Sequence, residues 1–235
     1  MNNSTVYHLK DLTRNSYWGR GILVGRTEDA VLAAYFIMGR SENSRNRVFL
    51  QEGENVRIEP HDPSKVTDPS LIIYYPVKKA AGQVIVTNGD QTDTVEAFLN
   101  EGKSFEEALR TRTFEPDPPH YTPRISCLID PASGTYRMSI LKDGDGEGGW
   151  TERCFYEYEG EAGIGHLIHT YEGNESPLPT FEGEPKKFRL PSTPEELMDA
   201  VWTNLDEDNK ISLAVLKVSK DGTVETTILN KRLGD

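Results

Sequence analysis

The sequence predicts an α+β fold built mainly from large antiparallel sheets. Short apolar runs, enriched in β-branched and aromatic residues and bounded by Gly, Pro, Asn or Asp, recur along the chain, which is typical of strands. The predicted order is many strands, two helices, many strands, one helix and two strands. This order lacks the regular alternation of strand and helix that a parallel doubly wound sheet requires, so it favours α+β.

The apolar runs predict the strands in chain order. They cover 21–25, 31–38, 47–50, 71–75, 83–87, 124–129, 136–141, 153–158, 164–170, 211–218 and 224–230. Asp221-Gly222, between the last two, predicts a tight hairpin. The glycine-rich segment 19–25 is interpreted as a strand entering a sheet edge, because a dinucleotide-binding loop would need a helix to follow it.

The predicted helices each have a recognisable start. A helix over 90–100 begins with capping-type residues and ends before Gly102. Ser104 begins a capping box, Ser-Phe-Glu-Glu, ahead of a second helix. Ser192 and Thr193 precede Pro194 and a third apolar stretch, and Pro is favoured in the first helical turn.

Length and charge limit the classes of protein and partner. The 235 residues are interpreted as a single domain over 1–235, because the Pro-rich stretches 115–123 and 173–191 are short and flanked by strands. Lys and Arg number 26 against 38 Asp and Glu, a net charge of −12. This acidity disfavours a general nucleic-acid binder. A few arginines in a pocket can still bind a small anion.

The chain shows no sign of a membrane or export segment. No apolar run approaches the roughly 20 residues that a spanning helix needs, and the first residues lack the pattern of a signal peptide. We therefore expect a cytoplasmic protein in which Cys127 and Cys154 are reduced thiols.

The sequence gives little support for a metal site or for a catalytic nucleophile. His166 and His169 lie in a predicted strand, where residues three apart point to opposite faces. The Asp- and Gly-rich segment 143–149 lacks the acid at the twelfth position of an EF-hand loop, which here is Cys154. No Gly-x-Ser-x-Gly elbow is present. We expect no metal.

Other segments favour a site for a polar, anionic ligand. Segment 39–47 places three Arg and two Ser directly after a strand, which suits a phosphate. Segment 87–93 lies between a strand and a helix N-terminus. Segment 114–125 is a Pro-rich loop that carries acidic, His, Tyr and Arg side chains.

These segments, in this order, resemble the archaeal-type IMP cyclohydrolases and their bacterial branch. The matching blocks run from about Gly19 to Pro185, and they include Arg40-Ser41, Tyr74 before Pro76, Asn88-Gly89-x-x-Thr92-Asp93, Glu115-x-Asp117, Tyr121-Thr-Pro-Arg-Ile125, Thr170-Tyr-Glu-Gly173 and Pro177-Leu-Pro-x-Phe181. The resemblance implies a four-layer αββα sandwich similar to N-terminal-nucleophile hydrolases. It also implies ring closure of 5-formamidoimidazole-4-carboxamide ribonucleotide to IMP, without a cofactor.

The resemblance also implies roles for particular residues. Arg40 would contact the oxyanion or the carboxamide, and Glu115 would handle protons. Tyr74 matches the family tyrosine better than Tyr75 does, because it lies two residues before proline. The expected substrate-binding residues are Asn88, Thr92 and Asp93 for the base or ribose, and Ser41, Ser44, Arg45 and Arg124 for the phosphate.

Two further interpretations keep the same nucleotide pocket. One is a non-catalytic purine-nucleotide-binding or regulatory protein, and the other is a nucleotide amidohydrolase that adds water instead of removing it. We also expect a homo-oligomer, since sandwich folds leave apolar helix faces to bury.

Overall fold

Strands dominate the structure, a computed structural model that describes residues 5–66 and 73–232. The strands are β1 Arg20–Arg26, β2 Ala30–Met38, β3 Val48–Glu52, β4 Asn55–Glu59, β5 Val77–Ala80, β6 Gln83–Thr87, β7 Arg124–Ile129, β8 Tyr136–Asp143, β9 Thr151–Tyr158, β10 Ile164–His169, β11 Lys186–Arg189, β12 Lys210–Ser219 and β13 Val224–Asn230. The α-helices are α1 Glu42–Arg45, α2 Gln91–Asn100, α3 Phe105–Arg110 and α4 Pro194–Asn204, and short 3₁₀ helices cover Leu9–Arg14 and Pro63–Lys65.

The strands form two antiparallel sheets. Sheet A has six strands in the order β11-β10-β1-β2-β12-β13. Sheet B has seven in the order β3-β4-β5-β6-β7-β8-β9. Sheet B is a meander, in which each strand pairs with the next one along the chain. Sheet A combines strands from the two ends of the chain, so it joins the N- and C-terminal segments.

The two sheets pack face to face with helices on both outer sides. Alternate residues of β2, such as Ala33 and Tyr35, enter the core between the sheets, which includes Val86 and Ile125 of sheet B. The residues between them face α4 and the 3₁₀ helix Leu9–Arg14. On the far side, α2 and α3 cover sheet B. This is the predicted four-layer αββα sandwich.

This layering explains why the strand signal is a set of continuous apolar runs. A strand with one face on solvent alternates apolar and polar residues, whereas one buried on both faces does not. All nine residues of β2 are buried, and so are all six of β7.

Several predicted elements are corrected by the structure. Of the predicted strand 71–75, residues 71 and 72 lie outside the described residues, and 73–75 do not form a strand, although the Tyr74 carbonyl accepts a hydrogen bond from Ile58 N at 3.0 Å. Strands β4, β5 and β11 were not predicted, because they are short and charged. Strand β1 is not at an edge, since β10 and β2 flank it.

The predicted helices are confirmed with small changes at their starts. Ser104 accepts a hydrogen bond from Glu107 N in a complete capping box, and Thr193 caps α4. Asp90 precedes α2 but makes no capping hydrogen bond. Among the described residues, no helix is long and apolar enough to cross a membrane. The single domain over 1–235 stays a prediction.

Candidate active site

A cluster of charged and phenolic side chains, all buried except the partly buried Arg20, comes from both sheets and from segments next to their strands. Arg20 begins β1, Tyr35 lies on the inner face of β2, and Arg47 directly precedes β3. Tyr74 lies shortly before β5, and Glu115 lies in the loop that leads to β7. We call these five residues the Arg20–Glu115 cluster, after the ion pair at its centre, in which Arg20 Nη2 lies 3.7 Å from Glu115 Oε2.

Glu115 is a buried carboxyl group that can exchange a proton near neutral pH. Its side chain is only 2% exposed. Burial raises the pKa of Glu115 to about 7, and the nearby Asp117 adds to this, although Arg20, Arg124 and Arg47 lower it. Desolvation therefore raises the pKa of Glu115 by more than the three arginines together lower it. Glutamates tuned toward neutrality in this way are suited to general acid–base catalysis.

The two arginines of the cluster have hydrogen-bond donors without partners. Among the described residues, neither Arg20 Nε nor Arg47 Nη1 has a hydrogen-bond acceptor, although both atoms are buried. The remainder of Arg47 is fixed, because its Nε donates to Ser44 O at 2.7 Å and its Nη2 to Met38 O at 3.2 Å. Burial and the neighbouring Arg20 lower the pKa of Arg47. Buried donors without partners are costly, so they indicate a place for an acceptor on a ligand.

Tyr74 contributes a hydroxyl group to the cluster, and Tyr75 does not. The hydroxyl groups of Tyr74 and Tyr35 lie 2.8 Å apart. Burial raises the pKa of both phenols, so both remain neutral donors at physiological pH. Tyr75 points outward and donates to Glu52 Oε2 at 2.7 Å. The structure therefore brings Tyr74, the tyrosine favoured by the resemblance, close to Arg20 and Arg47.

The Pro-rich loop is braced so that Glu115 points inward. Glu115 N donates to Thr122 O at 2.9 Å across the loop. The Asp117 carboxylate accepts hydrogen bonds from Thr122 N at 2.7 Å and from Thr122 Oγ1 at 2.5 Å. The Thr122 hydroxyl also lies 2.6 Å from the Tyr171 hydroxyl, which links the loop to the end of β10. Asp117 thus acts as a support for the loop.

Arg124 approaches Glu115 because residue 89 has no side chain. A Cβ atom on Gly89 would lie 2.5 Å from Arg124 Nη1 and 3.5 Å from Glu115 Oε1. Arg124 Nη1 is bound by Gln91 Oε1 at 2.7 Å and by Asp90 Oδ1 at 2.6 Å. Asp90 therefore anchors Arg124 instead of capping α2.

The predicted ligands in segment 88–93 have structural partners. Asn88 donates to Pro123 O at 2.8 Å, and its side-chain oxygen accepts from Ile125 N at 2.8 Å and from Gln91 Nε2 at 3.0 Å. Thr92 Oγ1 donates to Gly89 O at 3.0 Å. Asp93 is exposed and pairs with Lys78 at 2.8 Å. Asn88 and Thr92 therefore hold the loop beside the cluster, while Asp93 faces outward.

The predicted site residues in segment 40–45, Arg40 for the oxyanion or carboxamide and Ser41, Ser44 and Arg45 for the phosphate, lie in different surroundings. Arg40 lies over the Tyr17 ring and donates to Asn174 O and Glu175 O, both at 3.0 Å. Ser41 and Ser44 form the capping box of α1.

Arg45 donates to Gly39 O at 2.9 Å and lines a cavity that none of the five cluster residues lines. Within the described residues, none of these four side chains makes a hydrogen bond or ion pair with Glu115.

Sequence reasoning missed Arg20, Arg47 and Tyr35 as site residues. A signal for Arg20 was present in its glycine neighbours. A Cβ on Gly19 would lie 2.1 Å from Thr170 Oγ1, and one on Gly21 would lie 2.1 Å from the Phe36 ring. Both glycines thus mark close packing on either side of a partly buried arginine. Arg47 was seen only as part of an arginine-rich segment, and Tyr35 only as part of an apolar strand.

The histidines take structural positions in β10. His166 Nδ1 lies 2.6 Å from the Tyr136 hydroxyl, and His169 Nδ1 lies 3.1 Å from Tyr171 O. Burial lowers the pKa of His166 to about 4. In the described ranges, no group of three or more His, Cys, Asp or Glu is arranged to hold a metal ion.

The family model and the relatives that match this chain agree on one family. A family model described as "IMP cyclohydrolase-like protein" matches residues 17–222. The IMP cyclohydrolase of Methanopyrus kandleri is 33% identical over 144 residues, which cover 55% of this chain and 72% of the relative. The IMP cyclohydrolase of Methanocaldococcus jannaschii is 25% identical over 212 residues, covering 88% and 96% respectively.

A solved structure is similar to this chain only at a low level. The Anbu (Gly-1) mutant from Hyphomicrobium sp. strain MC1 covers 91% of this chain, and 89% of that chain is matched. The sequence identity is 12% and the TM-score is 0.33. A score this low supports no conclusion about this protein.

Proposed function

Because the chain belongs to the IMP cyclohydrolase-like family, we propose that it closes the ring of 5-formamidoimidazole-4-carboxamide ribonucleotide to IMP, with loss of water, at the Arg20–Glu115 cluster. The observation that carries the location is the buried Glu115, whose pKa is raised to about 7 beside Arg20 at 3.7 Å. A carboxyl group that can donate or accept a proton thus lies beside a cation and away from solvent, which supports this location.

The reaction requires two kinds of help that the cluster can supply. The carboxamide nitrogen must attack the formyl carbon, and the formyl oxygen gains negative charge as the new C–N bond forms. The unpartnered donors Arg20 Nε and Arg47 Nη1 are suited to stabilise that charge. Because both reacting groups belong to one molecule, holding them in the cyclising rotamer supplies much of the remaining acceleration.

Glu115 is the group we propose for proton transfer. As a carboxylate it accepts a proton from the attacking carboxamide nitrogen. As a carboxylic acid it then returns this proton to the former formyl oxygen, which becomes a hydroxyl group. The formamide nitrogen loses its own proton as the ring C=N bond forms, and this second proton, passed through Glu115, lets the hydroxyl group depart as water. A pKa near 7 makes both forms available at physiological pH. Tyr74, neutral and bonded to Tyr35, contributes a further hydroxyl donor beside Arg20.

The other predicted residues are assigned by where they lie. We propose that Arg124 contacts the substrate beside Glu115, and that Asn88 and Thr92 position the loop around it. Arg40, above the Tyr17 ring, is proposed to bind the outer part of the substrate. Contacts of Ser41, Ser44 and Asp93 with the substrate stay predictions.

The experiment that tests the function is conversion of the formylated carboxamide ribonucleotide by the purified protein. Absorbance follows the change from imidazole to hypoxanthine, and chromatography identifies the product. IMP supports the proposal. Release of formate with the unformylated carboxamide ribonucleotide would instead identify an amidohydrolase, and saturable binding without conversion would identify a binding protein.

The cellular location and the assembly of the protein belong to the same proposal. We propose that the enzyme is cytoplasmic and that it assembles into a homo-oligomer. Cell fractionation tests the first, and light scattering of the purified protein tests the second. A monomer at micromolar concentration would contradict the assembly.

A further inference from the structure

A polar cavity lies where the β13 edge of sheet A meets the β3–β4 edge of sheet B, and it shares no lining residue with the Arg20–Glu115 cluster. Its volume is about 450 Å³, and its polar lining residues are Arg45, His61, Asp208, Lys210, Lys231 and Arg232. Arg45 ends α1, His61 follows β4, and the others flank β12 and β13. We call this space the cationic cavity. A volume of roughly 300–1,000 Å³ is typical of small-ligand sites.

The cavity concentrates positive charge in an acidic protein. The chain carries a net charge of −12, yet four permanent cations line this cavity against one carboxylate, Asp208. A second carboxylate, Glu207, pairs with Lys210 at 2.6 Å and with Lys231 at 3.3 Å. Four cations against two carboxylates leave an excess of two positive charges, which matches a dianion.

The arginines are the cations that remain available to a ligand. In the described part of the chain, neither Arg45 nor Arg232 makes an ion pair. Arg45 donates Nε to the backbone oxygen of Gly39 at 2.9 Å, and its Nη2 lies 3.5 Å from Asn209 Oδ1. Its remaining N–H donors have no hydrogen-bond partner among the described residues. Guanidinium groups bind phosphoryl oxygens in a fixed, often bidentate geometry.

We propose that the cationic cavity binds the phosphoryl group of a small molecule, at a site separate from the Arg20–Glu115 cluster. A long nucleic acid does not suit this position, because a local excess of two charges cannot offset the repulsion from an acidic protein. Arg45, the last residue of α1, lines the cavity, whereas Arg47, two residues later, is buried in the cluster.

The test is a calorimetric titration of the purified full chain with inorganic pyrophosphate and, separately, with ribose 5-phosphate. Saturating IMP is present throughout to occupy the proposed active site. Binding of either ligand to the native chain supports the proposal. Tighter binding of pyrophosphate identifies an inorganic anion as the occupant, and tighter binding of ribose 5-phosphate identifies a phosphorylated metabolite.

Variants locate the binding in the cavity. Arg232→Gln and Lys231→Gln are exposed positions, and each removes one cation. We expect Arg232→Gln to weaken binding about tenfold, as for loss of one charge-assisted hydrogen bond. Lys231→Gln should weaken it less, because Lys231 is already paired with Glu207. The matched control is Arg110→Gln, an exposed arginine on α3 above Phe155 of β9, the opposite edge of sheet B from β3. It should leave binding unchanged.

Several results would overturn the proposal. These are no binding by the native chain, equal binding by Arg232→Gln, Lys231→Gln and Arg110→Gln, and binding that appears only when IMP is left out of a parallel titration. The last result would make the cavity part of the nucleotide site. The proposal does not depend on the proposed activity, since a chain that fails to make IMP would still show the effect of Arg232→Gln.

Discussion

Replacing Glu115 with Gln should change how the stability of the protein depends on pH. The ordinary pKa of a glutamate is 4.5, and burial raises that of Glu115 to about 7. Between these values the folded protein keeps a proton that the unfolded chain has released. The contribution of Glu115 to stability is therefore fully present below pH 4.5 and is lost as the pH rises through about 7. At about 1.4 kcal/mol per pH unit, this loss is about 3 kcal/mol.

The assay is urea denaturation of the native protein and of Glu115→Gln at pH values of about 4.5 and about 8.5. The variant cannot ionise at this position, so its free energy of unfolding should gain about 3 kcal/mol relative to the native protein over that interval. Glu147→Gln, which removes an exposed carboxyl at the β8–β9 tip, should show no such gain. An equal difference between Glu115→Gln and the native protein at both pH values would refute a buried, protonated Glu115.

Other substitutions test the surroundings of Glu115. Arg20→Gln removes a cation that lowers the pKa of Glu115, so the pH–rate profile should shift to higher pH and kcat should fall about 10²-fold; an unchanged profile would contradict the ion pair. Gly89→Ala should destabilise the protein by about 1–3 kcal/mol in thermal denaturation, because its Cβ would lie 2.5 Å from Arg124 Nη1; a native melting temperature would show that Arg124 can move. Tyr74→Phe should cost about 1 kcal/mol in urea denaturation through loss of the bond to Tyr35. The half-buried Tyr75→Phe is its control, and equal effects would contradict the burial difference.

Much of the fold could be predicted because its strands are buried on both faces. The run 31–38 is apolar at every position, and the structure places β2 between two layers. The turn Asp221-Gly222 and the capping box at Ser104 also have local chemical causes, and both elements form as predicted. Strand β5 was missed, because its lysines bind carboxylates of other segments, as Lys78 does with Glu96 at 2.6 Å. Those partners are invisible to a local pattern.

The candidate site was only partly predictable for a similar reason. Glu115, Tyr74 and Arg124 lie in segments that stand out in the sequence. The structure places Glu115 and Tyr74 near Arg20, and Arg124 near Glu115. Arg20 itself lies 95 positions from Glu115 along the chain, and only the packing of sheet A on sheet B brings them together. The two glycines that flank Arg20, Gly19 and Gly21, were the signal available in the sequence. They were interpreted only as part of a strand.

A crystal structure of the protein with IMP would test the central claim most directly, since the claim is that ring closure takes place at the Arg20–Glu115 cluster. We predict that the N1–C2 edge of the hypoxanthine ring, which is the bond formed by closure, lies within hydrogen-bond distance of the Glu115 carboxyl group, with Arg20 or Arg47 beside it. IMP bound with that edge away from Glu115, or bound only in the cationic cavity, would contradict the account.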